Sequence, residues 1–171
     1  MKFVVSGQEY EHCIELMKQR QRSKRAAVKS RKIDDSRSDL EIEVGGYIAE
    51  KVVREYLSGI DANQDLKPSQ GDAGYDVVVG DRRVEVKWFH HRNSPKYCLQ
   101  HFSNTPNFDY VVQVKTIEEG PSHQIVEIMG WLDKAAFEKE KTYLHWLKRP
   151  TFGVLVSKFK PIEELKALLH E

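Results

Sequence analysis

Gly71-Asp72-Ala73-Gly74-Tyr75-Asp76-Val77-Val78-Val79-Gly80-Asp81-Arg82-Arg83-Val84-Glu85-Val86-Lys87-Trp88 is the stretch on which the reading of this 171-residue chain turns. Two β-type runs, residues 75–79 and 84–89, flank Gly80-Asp81-Arg82-Arg83, the pattern of a hairpin. Strand side chains alternate between faces, so Glu85 and Lys87 share one face while Val84, Val86 and Trp88 share the other, the core face. Pairing of Val79 with Val84 across the turn sets Val78 opposite Glu85 and Asp76 opposite Lys87. Directly opposed residues lie on one face, so Asp76, Glu85 and Lys87 are expected to converge. A slip of one residue would turn Asp76 to the other side.

The segments around the hairpin supply the rest of a sheet and its cover. Residues 44–57 form an amphipathic helix: at 100° per residue Ile48, Ala49, Val52, Val53, Tyr56 and Leu57 fill one half of the wheel. Lys51, Arg54 and Glu55 lie on the other half, Glu50 falls at the boundary, and Ser58-Gly59 ends the helix. Further strands are expected over 97–102, 110–115, 124–129 and 152–156. Helices are expected over 134–140, with Asp133 as N-cap, and over 162–169 behind Pro161. Residues 8–29 read as another helix, its apolar stripe (Ile14, Leu16, Met17) fading into a basic second half. The order α-α-β-β-β-β-β-α-β-α predicts an α/β or α+β domain, a mixed central sheet flanked by helices.

Two carboxylates and a lysine on one patch are costly for a purely structural strand, because like charges repel unless a cation sits between them. A hard divalent ion resolves this: Mg²⁺ binds through one or two carboxylates and keeps several waters. The lysine can then orient or deprotonate a water, or stabilise charge developing on phosphate. The set suits phosphodiester hydrolysis.

Asp76, eight intervening residues and Glu85-Val86-Lys87 resemble the signature of the PD-(D/E)XK nuclease superfamily, the restriction-endonuclease-like fold. Gly46-Tyr47-Ile48-Ala49-Glu50 and the residues to Leu57 resemble its first helix, and Gly71-Asp72-Ala73-Gly74-Tyr75-Asp76 its Gly-Asp-x-Gly-x-Asp lead into the hairpin. Phe108-Asp109-Tyr110-Val111-Val112-Gln113-Val114 resembles the strand that follows. Gly130-Trp131-Leu132 and Pro161-Ile162-Glu163-Glu164-Leu165 resemble segments of compact phage and mobile-element nucleases. The likeness covers roughly 44–165; it departs from the pattern at Tyr75, where the motif's name carries Pro. It implies that Asp76 and Glu85 ligate Mg²⁺ (or Mn²⁺) with the Val86 backbone carbonyl, that Lys87 positions or activates the water, and that Glu50 binds the metal directly or through water. Asp72 could replace Asp76 as ligand, though a turn role competes. Glu43 could compete with Glu50, though it also complements the helix dipole. His90, His91 and His101 lack zinc-ligand spacing; they are substrate-facing or plain surface. Trp88 is expected in the core, and Cys13 and Cys98 are expected to be inert.

The net charge of +1 is unevenly laid out. Residues 1–33 hold nine Lys/Arg against three Glu, and the run Lys18, Arg20, Arg22, Lys24, Arg25, Lys29, Arg31, Lys32 contains no acid. Such a run points to a polyanion, with phosphates held independently of sequence; a solvated, partly frayed helix is the other reading. Arg92 and Lys96 could also touch a nucleic-acid backbone. The expected organisation is a basic helical arm, 1–39, ahead of a nuclease-like domain, 40–171. Two cysteines make no disulfide framework, no stretch approaches a membrane span, and the opening residues are too short for a signal-peptide core. A soluble protein of a reducing, cytoplasmic compartment is expected. The expected activity is Mg²⁺-dependent cleavage of DNA, with RNA as a further candidate and a homodimer as a candidate assembly. A catalytically silent nucleic-acid-binding protein of the same fold, or a subunit of a DNA-processing complex, are the rival readings.

Overall fold

The computed structural model describes residues 1–24, 38–63, 74–90, 96–100 and 107–171, without the side chains of residues 23 and 24. Its centre is a six-stranded sheet in the order β1-β7-β6-β4-β3-β2, built from β1 (Lys2–Ser6), β2 (Ile60–Asp61), β3 (Val77–Val79), β4 (Arg82–Phe89), β6 (Tyr110–Gly120) and β7 (His123–Asp133). The β4–β6 pair is parallel and the others are antiparallel. A second sheet, β5-β9-β8, holds β5 (Tyr97–Gln100), β8 (Thr142–Leu144) and β9 (Thr151–Leu155). With helices α1 (Gly7–Lys24), α2 (Asp39–Leu57), α3 (Lys134–Glu140) and α4 (Ile162–Leu169) this is the α/β architecture with a mixed central sheet that the sequence predicts.

Two apolar layers follow from strand alternation. On one face Val77, Val79, Val84, Val86, Val112 and Val114 pack with Ile48, Ala49, Val52 and Val53 of α2 and with Ile162 and Leu165 of α4. Gly45 lets α2 approach closely, since a β-carbon there would strike the Trp88 indole. That indole donates to Thr116 Oγ1 at 2.8 Å. On the other face Val111 and Leu132 pack with Phe108, with Phe137 of α3 and with Cys98 and Val154 of the small sheet. The face of Glu85 and Lys87 is therefore the face that α3 and the small sheet cover.

Ser38 and Glu41 close the start of α2 as a capping box, and Ser58, in the left-handed region at φ 56°, ends it. Asp133 caps α3 as expected, accepting from the Ala136 N–H at 2.7 Å.

Three expectations need correction. The hairpin pairs Val79 with Arg82, Val78 with Arg83 and Val77 with Val84. Its loop is the two residues Gly80-Asp81, with Gly80 at φ +61°, and such a positive φ suits a two-residue connection to strand twist. The register therefore slips by two from the expected one and brings Asp76 level with Glu85 instead of Lys87. Because strand periodicity is two, every side chain keeps its face. Secondly, the first 24 residues, expected as an arm, contribute to the core. β1 pairs with β7 from Lys2↔Glu127 to Ser6↔His123, and Val5, Tyr10, Cys13 and Met17 are buried. Lys51 of α2 ties α1 in through an ion pair to Glu9 at 2.6 Å, and it also pairs with Glu55 of its own helix. Thirdly, β2 and β8 are short strands that the sequence pattern does not predict.

Candidate functional site

The site lies where β3 parts from β4. The Asp76 N–H donates to the Val84 carbonyl at 2.9 Å, the last main-chain bond of this pair. Two residues on, the Val86 N–H points at the same edge but meets no partner strand. The Asp76 carboxylate replaces it: Oδ2 accepts that N–H at 2.7 Å. The residue that ends the pairing thus becomes an in-plane carboxylate at a strand edge. A strand residue sends its N–H and C=O to the same side, so the Val86 carbonyl leaves β4 on this edge as well.

Around Asp76 the charge is predominantly negative. Glu85 is only 7 % exposed, and its Oε1 pairs with Lys87 Nζ along the same strand face. Burial, then the charges of Glu50 and Glu85, hold Asp76 well above the usual carboxylate range, against the opposing pull of Lys87 and the Val86 N–H. Burial likewise lifts Glu50 to about 7; Arg20 and Arg54 oppose the rise, while Asp61 and Glu85 add to it. Both are cases of desolvation reinforced by like charge. Glu50 belongs to α2, which packs on the opposite face from Glu85 and Lys87, yet it lies near enough to feel the charge of Glu85.

The predicted quartet Glu50, Asp76, Glu85 and Lys87 is therefore one electrostatic unit. Two residues that sequence reasoning passes over belong with it. Asp61, on β2, is held by Arg54 at 3.2 Å and pushes on Glu50; nothing in its local sequence marks it. Gln113 is fully buried beside Lys87 in the β4–β6 register. Its carboxamide donates to the Lys87 carbonyl at 2.8 Å and to that of Val114 at 3.1 Å. A glutamine inside a run of valines is the available signal. Its Oε1 is buried without a hydrogen-bond partner.

Other candidates resolve differently. His90 is buried, with a ring nitrogen 2.7 Å from Glu119, so it is not a surface residue. Cys98 is buried with its thiol pushed up to about 12, and burial also raises the Cys13 thiol, which suits inert cysteines. Lys18, Arg20 and Arg22 stand exposed on α1. Arg22 lies 3.9 Å from Glu15, and Arg20 is near enough to act on Glu50. Lys96 is exposed at the head of β5. The Lys24 side chain, Arg25, Lys29, Arg31, Lys32, Asp72, His91, Arg92 and His101 lie outside the described residues.

Hard carboxylate oxygens, a main-chain carbonyl on the same edge and an excess of negative charge fit Mg²⁺ or Mn²⁺. Among the described residues no group of three or more His, Cys, Asp and Glu side chains is arranged to hold a metal ion. The fit is with an ion taken by one or two carboxylates and completed by water, the usual habit of Mg²⁺. No protein-family model matches this chain, and no curated protein matches it either. Among the described residues no helix is long and apolar enough to cross a membrane.

Proposed function

We propose that this chain is a divalent-metal-dependent nuclease of PD-(D/E)XK type, acting on DNA. The observation that supports the reading best is the meeting of Asp76, Glu85 and Lys87 at the edge that β3 vacates. Asp76 and Glu85, with the Val86 carbonyl, would hold Mg²⁺ or Mn²⁺, and Glu50 would complete the charge balance directly or through water. Such an ion, when bound, neutralises phosphate oxygens and lowers the pKa of a bound water.

The chain's own residues do the rest. Lys87, once its ammonium leaves Glu85, is the group placed to orient the attacking water or to stabilise charge building on the phosphate. Gln113 fixes the main chain at Lys87 and so limits where that amine can reach. The exposed cations Lys18, Arg20 and Arg22 would hold phosphates without reading bases. Cytoplasmic action and assembly as a homodimer belong to the same proposal.

The test is cleavage of labelled linear, branched and single-stranded DNA by the wild-type protein and by Lys87→Ala, with Mg²⁺ or with EDTA. Metal-dependent cleavage lost in the variant upholds the reading. DNA binding without turnover under all conditions would replace it with that of a silent nucleic-acid-binding protein.

A further inference from the structure

A second basic region lies toward the end of the chain. From Lys141 to Lys160 there are five cations (Lys141, Lys148, Arg149, Lys158 and Lys160) and no Asp or Glu. Three of them turn back onto the body of the protein: Lys141 to Glu138 at 2.6 Å, Lys158 to Glu140 at 3.5 Å and Lys160 to Asp133 at 3.9 Å. Lys148 and Arg149 are exposed in the β8–β9 connection and also make contacts within the protein.

The same connection carries an unusual aromatic. Trp88 and Trp131 sit in or against the core with their indole N–H groups bonded to Thr116 Oγ1 and the Pro161 carbonyl. Trp146 is 58 % exposed and contributes to neither core cluster. It meets Tyr97 of β5 edge to face, with centroids 6.1 Å apart, and His145 at 5.2 Å. With more than half of the residue exposed, part of the indole stays open to solvent. Tyr143, 51 % exposed, makes a similar contact with Phe152 at 5.2 Å.

Exposed rings among cations, in a segment without acids, match what a flexible polyanion with flat bases requires: stacking surface for the bases and positive charge for the phosphates. The hairpin belongs to the small sheet that covers the Glu85–Lys87 face. Cys98, next to Tyr97 on β5, senses the charges of both Lys87 and Glu85. We infer that the β8–β9 hairpin is a landing site for unpaired nucleotides, with a base stacking on Trp146 and phosphates held by Lys148, Arg149 and Lys96. The choice of DNA as the strand rests on the nuclease reading above, and it makes single-stranded or frayed DNA the substrate class.

The test is binding in EDTA, where no turnover occurs, of an oligothymidylate and of an abasic oligomer of the same length. It is followed by anisotropy and by tryptophan fluorescence, for the wild type, Trp146→Leu and Trp146→Phe. The wild type should bind the thymidylate about tenfold more tightly than the abasic strand, with quenching of its emission. Trp146→Leu, which keeps an apolar contact for Tyr97, should lose that preference, and Trp146→Phe should keep most of it. Equal binding of the two oligomers by the wild type, or an undiminished preference in Trp146→Leu, overturns the inference. If base-dependent binding is found but no DNA is cleaved in Mg²⁺, the nuclease reading fails while the landing site stands.

Discussion

Two carboxylate–cation groups lie along β4, two residues apart, and behave in opposite ways. At the start of the strand Arg83 grips Asp109. Its main-chain N–H and Nε donate to Oδ2 at 2.8 and 3.2 Å, and Nη2 donates to Oδ1 at 3.0 Å. Those bonds from Arg83 hold Asp109 below the usual carboxylate range. Further along, Lys87 acts on Glu85 and Asp76, Arg20 and Arg54 act on Glu50, and Asp76 and Glu50 are pushed up all the same. The first group is balanced within the chain and closes the strand onto the β6 end. The second is left with more negative charge than its own cations offset. A balanced pair needs nothing further; an unbalanced, partly buried cluster gains from a bound divalent ion or from protons. The contrast separates architecture from chemistry within a single strand.

Substitution in each group should give different losses. Lys87→Ala and Asp76→Asn should each lower DNA cleavage by at least about a hundredfold, the scale for removing an acid/base or electrostatic group. Both variants should stay folded, with Lys87→Ala the less stable because the buried Glu85 loses its partner, and near-normal turnover in either variant would remove the site assignment. Asp109→Asn should do the reverse. Loss of the charge-assisted bonds to Arg83 should lower the midpoint of urea unfolding, with the metal affinity of the site unchanged.

Much of this was legible from residues alone. The alternation Val84-Glu85-Val86-Lys87-Trp88 assigns its faces without help, and the wheel of α2 places Glu50 at the rim of the apolar stripe. The pairing register was not legible, because it depends on whether Gly80-Asp81 or four residues make the loop; only the parity survives. β1 escapes a sequence reading because five residues at a terminus gain a strand's identity from pairing with β7, not from their own pattern. β8, three residues long, escapes it for the same reason. Gln113 and Asp61 act through neighbours brought together by the sheet, and no local spacing announces such contacts. The basic run reads as an arm because its charge is visible, whereas the burial of Tyr10, Cys13 and Met17 depends on α2.

Smaller effects sharpen the contrast. Glu50 titrates at about 7 in the fold against an ordinary 4.5, so the native state binds more protons than the unfolded chain between those values. In EDTA the Glu50 contribution is therefore most favourable below about pH 4.5 and is lost as pH rises through about 7. Glu50→Gln removes this penalty: relative to wild type it should gain on the order of 1–2 kcal/mol on going from pH 5 to pH 8. Thermal unfolding at the two pH values checks this, and a difference independent of pH would contradict it. Smallest of all, replacing Lys18 and Arg22 by Ala should weaken DNA binding alike for all sequences. It should also flatten the log–log salt dependence by up to about 0.9 for each phosphate that these side chains neutralise. An unchanged slope would move the phosphate contacts away from α1.

The most direct measurement is calorimetric titration of Mg²⁺ into the metal-free protein near pH 6.5, repeated in two buffers of different ionisation enthalpy. An ion entering the Asp76–Glu85 site favours ionised carboxylates, and so must displace the proton that burial and like charge retain on Glu50, which is lifted to about 7. The expected result is saturable binding with proton release, both abolished in Asp76→Asn and both intact in Asp109→Asn. Binding without proton release, or binding that survives Asp76→Asn unchanged, would contradict the assignment of this carboxylate cluster as the metal centre.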